Sequence, residues 1–219
     1  RILRAFRFTR RDDGELWRMD DALRQAIVLH ATRLSMVAIE RRWMEVQKIL
    51  EGTRPGAVLA AMQDQGVLRH VFEHLRVLSP SLFKALDDER LMALNLHQRL
   101  ALMMVEHPTK EAVNQLKALR TSNQLQRLTA SFHERIGHLP DDDHPSLRVF
   151  NHVLTNEAEA HLKTLHVLAE GSFHLHTGRT FDPDVVSNVM KRWSTMPQRT
   201  DPVPCLVDGH WVMARTGIS

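Results

Sequence analysis

Hydrophobic positions along this chain recur every three to four residues, the spacing that gathers apolar side chains on one face of a helix. In ALRQAIVLHATRL, Leu23, Ile27 and Leu34 keep that register, and Asp20 or Asp21 ahead of them can cap the free N–H groups of a first turn. Ser35 is placed to start MVAIERRWMEVQKIL, which Glu51 and Gly52 close. Pro55 opens GAVLAAMQDQ, and Gly66 stops it ahead of VLRHVFEHL. Further amphipathic stretches begin at Ser79-Pro80, Pro108-Thr109, Thr121-Ser122, Pro145-Ser146 and Asp182-Pro183, so about ten helices fit. Strand signals are scarce: there is no Tyr, and β-branched runs are few. The pattern predicts an all-α chain, with 141–146 and 172–184 as candidate linkers and no fixed-period repeat.

Composition narrows the class. With 43% hydrophobic residues over 219 positions the chain can bury a substantial core, as one elongated body or two small ones. A quarter of the residues are charged, the formal net charge is +3 and the pI is near 9.4. That balance leans toward a polyanionic partner such as nucleic acid. Cys205 is the single cysteine, which excludes an intrachain disulfide framework and suits a reducing compartment. Apolar runs fall far short of the roughly 18 residues a membrane span needs, and nothing resembles a signal peptide. The expectation is a cytoplasmic protein without a membrane partner; composition leaves the oligomeric state open.

The first eleven residues, RILRAFRFTRR, hold five arginines and no acid. Arg1, Arg4, Arg7 and Arg10 follow one another at intervals of three, a slowly drifting helical stripe, and Ile2, Leu3, Ala5, Phe6 and Phe8 form the apolar remainder expected to pack inward. Two readings stand side by side. The stripe is a solvated basic face, or it uses the planar guanidinium for recognition of a phosphate or a base edge.

The words of the sequence favour the second reading. RILRAFRF resembles the segment R-[IVML]-L-R-[AV]-x-R-F of the class II nucleotidyltransferases, the family of CCA-adding tRNA nucleotidyltransferases and bacterial poly(A) polymerases. There the segment follows a Glu-Asp pair, so the resemblance implies that Arg1 is the arginine of Glu-Asp-x-x-Arg, its acidic half preceding this chain. ERRWMEVQKIL (Glu40 to Leu50) is similar to the family pattern Glu-Arg-Ile-x-x-Glu-Leu-x-Lys-Ile-Leu, with Arg42 in place of the isoleucine and Val46 in place of the leucine. AAMQDQGVLRHVFEHL, HQRLALMMVEHP, LKALRTSNQLQRL and PCLVDGHWVMARTGI resemble later family segments in the same order, with Glu73-His74 and His210-Trp211 as departures.

The resemblance implies a neck at 1–75, a helical body at 76–178 and the start of an RNA-binding tail at 179–219, the catalytic α/β head being absent from the chain. In the family, paired Mg²⁺ ions held by head carboxylates activate the RNA 3′-hydroxyl. With the head outside this chain, the chain by itself is not expected to catalyse or to bind the metal. Arg1 is the implied template for the base of CTP or ATP, with Arg4 supporting the same site or the triphosphate. Cytosine and adenine both present an amino donor beside a ring-nitrogen acceptor, which one Asp-Arg pair can select against guanine and uracil. Glu40, Arg41 and Glu45 are expected to brace the arginine helix, the alternative being an ordinary ion-paired face. Lys117, Arg120, Arg127, Lys191 and Arg192 are expected to meet tRNA phosphates, largely by backbone and shape. The implied activity is CCA addition to tRNA 3′ ends, with poly(A) synthesis in the same family as the alternative. From other classes, a non-catalytic helical RNA-binding module and a helical protein scaffold remain.

Other signals are weaker. His70-Val71-Phe72-Glu73-His74 has the H-x-x-E-H form of some zinc proteases, but fourteen histidines make such a coincidence easy and no zinc site is expected. The same holds for His174 and His176. Glu106-His107 lacks the order of a His-Asp phosphohydrolase motif. Met62, Met92, Met103 and Met104 are expected to fill core gaps, and Trp17, Trp43, Trp193 and Trp211 to be buried anchors.

Overall fold

Polar side chains cap five of the ten described α-helices, four of them where the sequence places a start. The structure, a computed structural model, describes residues 1–9, 19–73, 75–141, 146–148, 150, 157–173, 175 and 177–196. Among the described residues it is all-helical: α1 (Ile2–Phe8), α2 (Asp21–His30), α3 (Ile39–Leu50), α4 (Pro55–Asp64), α5 (Pro80–Leu86), α6 (Leu96–Met103), α7 (Thr109–Ala118), α8 (Asn123–Ile136), α9 (Ala158–Glu170) and α10 (Pro183–Ser194), with short 3₁₀ turns at Ala31–Met36, Leu68–His70 and Glu89–Leu91. Asp20, rather than Asp21, caps α2 by accepting from the Leu23 N–H. Ser79, Ser122 and Asp182 cap α5, α8 and α10, and Asn95 with Gln98 forms a reciprocal capping box on α6. None of these helices is long and apolar enough to cross a membrane.

Two starts differ from expectation. The helix after Asp20 tightens into a 3₁₀ turn at Ala31, and Ser35 spends its hydroxyl on the Thr32 carbonyl inside that turn. Consequently α3 begins at Ile39, with Ala38 as a cap that offers no side chain. VLRHVFEHL forms only the 3₁₀ turn Leu68–His70. The expected start at Pro145 lies outside the described residues.

Three helices end in the same hydrogen-bond pattern. After α4, Gly66 at φ +66° donates to Gln63 and Val67 donates to Met62; after α7, Arg120 at φ +53° donates to Lys117 and Thr121 to Leu116; after α9, Ser172 at φ +52° donates to Ala169 and Phe173 to Leu168. These are Schellman stops, with one residue in the left-handed region satisfying two otherwise free carbonyls. Only the first uses glycine.

The core is built around α6, of which Gln98 to Met103 are all buried. It packs on α3, α5 and α8; α8 in turn carries α7 and α9, and α10 lies on α9. One apolar cluster runs from Leu3 to Val186, and a smaller one joins Leu147, Leu162, Val189 and Met196. Phe173 and Leu175 belong to the main cluster, so the beginning of the candidate linker at 172–184 is packed. Met62, Met103 and Met104 are buried, whereas Met92 is 47% exposed and fills no gap. Trp43 packs half-buried on the main cluster and Trp193 on the smaller one; Trp17 and Trp211 lie outside the described residues.

Two buried polar groups and one partly buried carboxylate fix this arrangement. Arg99 donates from Nη1 to the Leu50 and Gly52 carbonyls at 2.6 Å each, from Nη2 to Met92 at 2.6 Å and from Nε to Leu94 at 2.9 Å. Burial pulls its pKa down, opposed by the charges of Asp87 and Glu51. Asp87, at the end of α5, accepts from the Gly56 and Ala57 N–H groups at 2.7 and 2.8 Å and so caps α4 from a neighbouring helix. Desolvation pushes its carboxyl up against those bonds and Arg54. Gly56 is required there because a Cβ would stand 1.9 Å from the Phe83 carbonyl oxygen. His161, 1% exposed, donates from Nε2 to the His138 carbonyl at 2.9 Å and lies edge-on to Phe132 and Phe150. Burial pushes its pKa down to about 4.

Gly56→Ala is expected to force α4 away from α5 and cost about 1–3 kcal/mol in denaturant unfolding; an unchanged midpoint contradicts this close approach. Acid should also destabilise the fold. Below an ordinary histidine value of about 6.5 the unfolded chain protonates His161, whereas the folded chain resists until about 4. Stability therefore falls as pH drops through that window, by on the order of 3 kcal/mol from this group. His107, pulled down by burial and Arg76, acts in the same direction. His161→Gln keeps a donor and cannot titrate, so its stability should depend less steeply on pH over this range; equal slopes contradict the assignment.

Candidate nucleic-acid interface

The first helix presents two faces of different chemistry. Leu3 and Phe6 are buried where α1 crosses α3 and α4. Arg1, Arg4 and Phe8, spaced by three and four, share the opposite, exposed face. The expectation that Phe8 packs inward is therefore corrected: it is 66% exposed while Phe6 is fully buried. Their offset of two places them on different sides of a helix.

Glu45 on α3 holds this helix in place. Its Oε1 accepts from Arg4 Nε and its Oε2 from Arg7 Nη1, both at 3.0 Å. The Glu45 and Arg7 side chains are 16% and 18% exposed, whereas Arg4 is 66% exposed and keeps its outer donors in solvent. The Arg7 guanidinium also lies 4.5 Å from the centroid of the Phe8 ring. Beside the clamp opens a cleft of about 630 Å³ lined by Arg1, Leu3, Arg4, Leu34, Val37, Arg41, Met44 and Glu45. Three guanidinium groups against apolar side chains, in a volume suited to a small ligand, can hold a nucleobase and its phosphates.

The remaining expected residues divide. Arg41 lines the cleft. Glu40 does not brace α1: five residues before Glu45, it points about 140° away around α3, and its carboxylate accepts from Arg120 Nη1 at 2.7 Å in solvent. Its own main-chain N–H and then Arg120 hold the Glu40 carboxyl below the usual range. Arg120, set in the left-handed region by the stop of α7, is thus turned toward α3. Lys117 and Arg127 are exposed on the same α7–α8 pair, while Lys191 and Arg192 stand on α10, beyond α9.

Sequence reasoning missed Arg42. Where the resemblance expects isoleucine, this guanidinium is buried and donates from Nη1 to the His70 carbonyl at 2.9 Å, tying α3 to the 3₁₀ turn. That turn removes the α-helical face on which His70 and His74 would meet, and His74, like His174 and His176, lies outside the described residues. His107 accepts the Arg76 N–H and Glu106 the Ser79 hydroxyl, both in structural roles. Among the described residues no group of three or more His, Cys, Asp or Glu could hold a metal ion.

Glu45→Gln removes the charge shared by Arg4 and Arg7 and is expected to lower stability by about 1 kcal/mol and to speed amide exchange in α1. Glu40→Gln, with its pair in open solvent, should leave the unfolding midpoint unchanged. Equal effects from the two substitutions contradict the clamp.

Residues 18–78, under a third of the chain, match the family model described as "Probable RNA and SrmB-binding site of polymerase A". The matched span runs through α2, α3, α4 and the turn at Leu68–His70, and includes the Leu34, Val37, Arg41, Met44 and Glu45 side of the cleft. No curated protein matches the chain. The family match supports, at a coarse level, a relation to the poly(A) and CCA polymerases, with RNA as a partner.

Proposed function

We propose that this chain supplies the nucleotide-recognising neck and RNA-binding body of an RNA 3′-end nucleotidyltransferase, working with a catalytic head that precedes Arg1. The observation that carries this reading is the placing of Arg1 and Arg4 on the wall of a nucleotide-sized cleft, backed by Glu45. Arg1 offers two parallel donors to a base edge, and a carboxylate of the head accepts from the exocyclic amino group, which selects cytosine and adenine. Arg4, with its outer donors free of Glu45, meets the triphosphate. Carboxylates of the head would hold magnesium, which would supply activation of the RNA 3′-hydroxyl; no step on the described residues runs through it.

CCA addition to tRNA is the preferred activity, because the segment 204–218 resembles the tail entry of those enzymes. Poly(A) synthesis differs by its product: long adenosine tails in place of a short addition that needs CTP. The non-catalytic RNA-binding module is the second reading, supported by a family model whose description names a binding site and no catalytic step.

Arg1→Ala in the full-length protein should reduce the preference for CTP and ATP over UTP and GTP by about tenfold or more, with RNA affinity almost unchanged. Incorporation assays with each nucleotide check this. Undiminished selection removes the template role, and the absence of any incorporation by the unsubstituted protein selects the binding module.

A further inference from the structure

We infer that Phe8 is a stacking platform for an unpaired base of an RNA strand entering the arginine cleft. The inference rests on the reading that RNA reaches this cleft, and adds a contact made by a side chain outside it. Phe8 is 66% exposed on a helix that fully buries Phe6. It shares its face with Arg1 and Arg4, both lining the cleft, and stands about 10 Å from Arg1 along α1, a span that one or two extended nucleotides bridge.

The ring is prepared for this task. Arg7 lies 4.5 Å from its centroid, and Arg7 is itself held by Glu45 at 3.0 Å. The guanidinium is therefore ordered before any ligand arrives, and a base on the ring would extend a stack that already exists. The surroundings specify the partner. Among the described residues here, Arg1, Arg4, Arg7 and Arg41 outweigh the carboxylate of Glu45, so their field suits a polyanion. One aromatic ring set among guanidinium groups fits a nucleobase with its phosphate better than the broad apolar face of a protein partner. Stacking does not discriminate between bases, so the platform would hold the strand and leave nucleotide choice to the cleft.

The test measures binding of a single-stranded RNA carrying 2-aminopurine, and of a duplex RNA, to the full-length protein and to Phe8→Ala, Phe8→Leu and Phe8→Trp. Phe8→Ala and Phe8→Leu should weaken single-strand binding by about tenfold and abolish quenching of the 2-aminopurine, while Phe8→Trp retains both. Duplex affinity and the salt dependence of binding should not change, because no phosphate contact is removed. Phe8→Leu keeps apolar bulk, and its unfolding midpoint shows that α1 stays docked. Single-strand binding by Phe8→Leu equal to that of the unsubstituted protein overturns the platform alone. So does an equal loss on duplex RNA, or a loss in Phe8→Trp as large as in Phe8→Leu. An unsubstituted protein that binds neither RNA overturns the platform together with the reading beneath it.

Discussion

The guanidinium of Arg99 anchors the helix that forms one wall of the cleft. It is buried, so its donors must find acceptors within the protein, and it finds four main-chain carbonyls. Two of these, Leu50 and Gly52, lie at the end of α3, and two, Met92 and Leu94, lie in the segment entering α6. The end of α3 is thereby fixed to the most buried helix of the fold. Because α3 carries Glu45, and Glu45 holds Arg4 and Arg7, the arrangement of α1 follows from a residue some distance from the cleft. Arg42 adds a second tie from α3, to the turn at Leu68–His70.

A row of like charges repels itself, and an unbraced arginine stripe would spread into solvent. Here the Glu45 carboxylate neutralises part of the described row and leaves Arg1 and Arg4 exposed. Arg7 is drawn into the protein and over Phe8, whereas Arg4 keeps most of its surface. A cationic surface ordered before the ligand arrives avoids part of the entropy lost in fixing long side chains on binding. The family match begins at residue 18, so it covers the α3 side of this cleft and leaves α1 beyond it. The part of the interface carried by α1 rests on geometry and on the resemblance of RILRAFRF.

The helical class and many helix starts were legible because they depend on local signals: Asp20, Ser79, Ser122 and Asp182 each act within one turn, whereas the Asn95–Gln98 box that starts α6 was not read from the sequence. Gly66 announced the stop after α4, but the stops at Arg120 and Ser172 place non-glycine residues in the left-handed region and carry no such mark. Glu40 and Glu45 were both candidates to brace α1; helical spacing sets them on different sides of α3, and only the position of α1 shows that Glu45 is the one that meets it. The roles of Arg42, Arg99 and Asp87 depend on carbonyls and N–H groups from other helices, which sequence spacing does not reveal. The exposure of Phe8 was in principle readable, since Phe6 and Phe8 cannot both face one core from one helix.

The central claim is that the exposed face of α1 and the adjoining wall of α3 meet RNA. Photocrosslinking an RNA with a 4-thiouridine at its 3′ end to the full-length protein, followed by peptide mass spectrometry, tests it directly. The account predicts adducts within residues 1–8 and 37–45, reduced by competing unlabelled RNA. Adducts confined to α7, α8 or α10, with none on α1 or α3, contradict it.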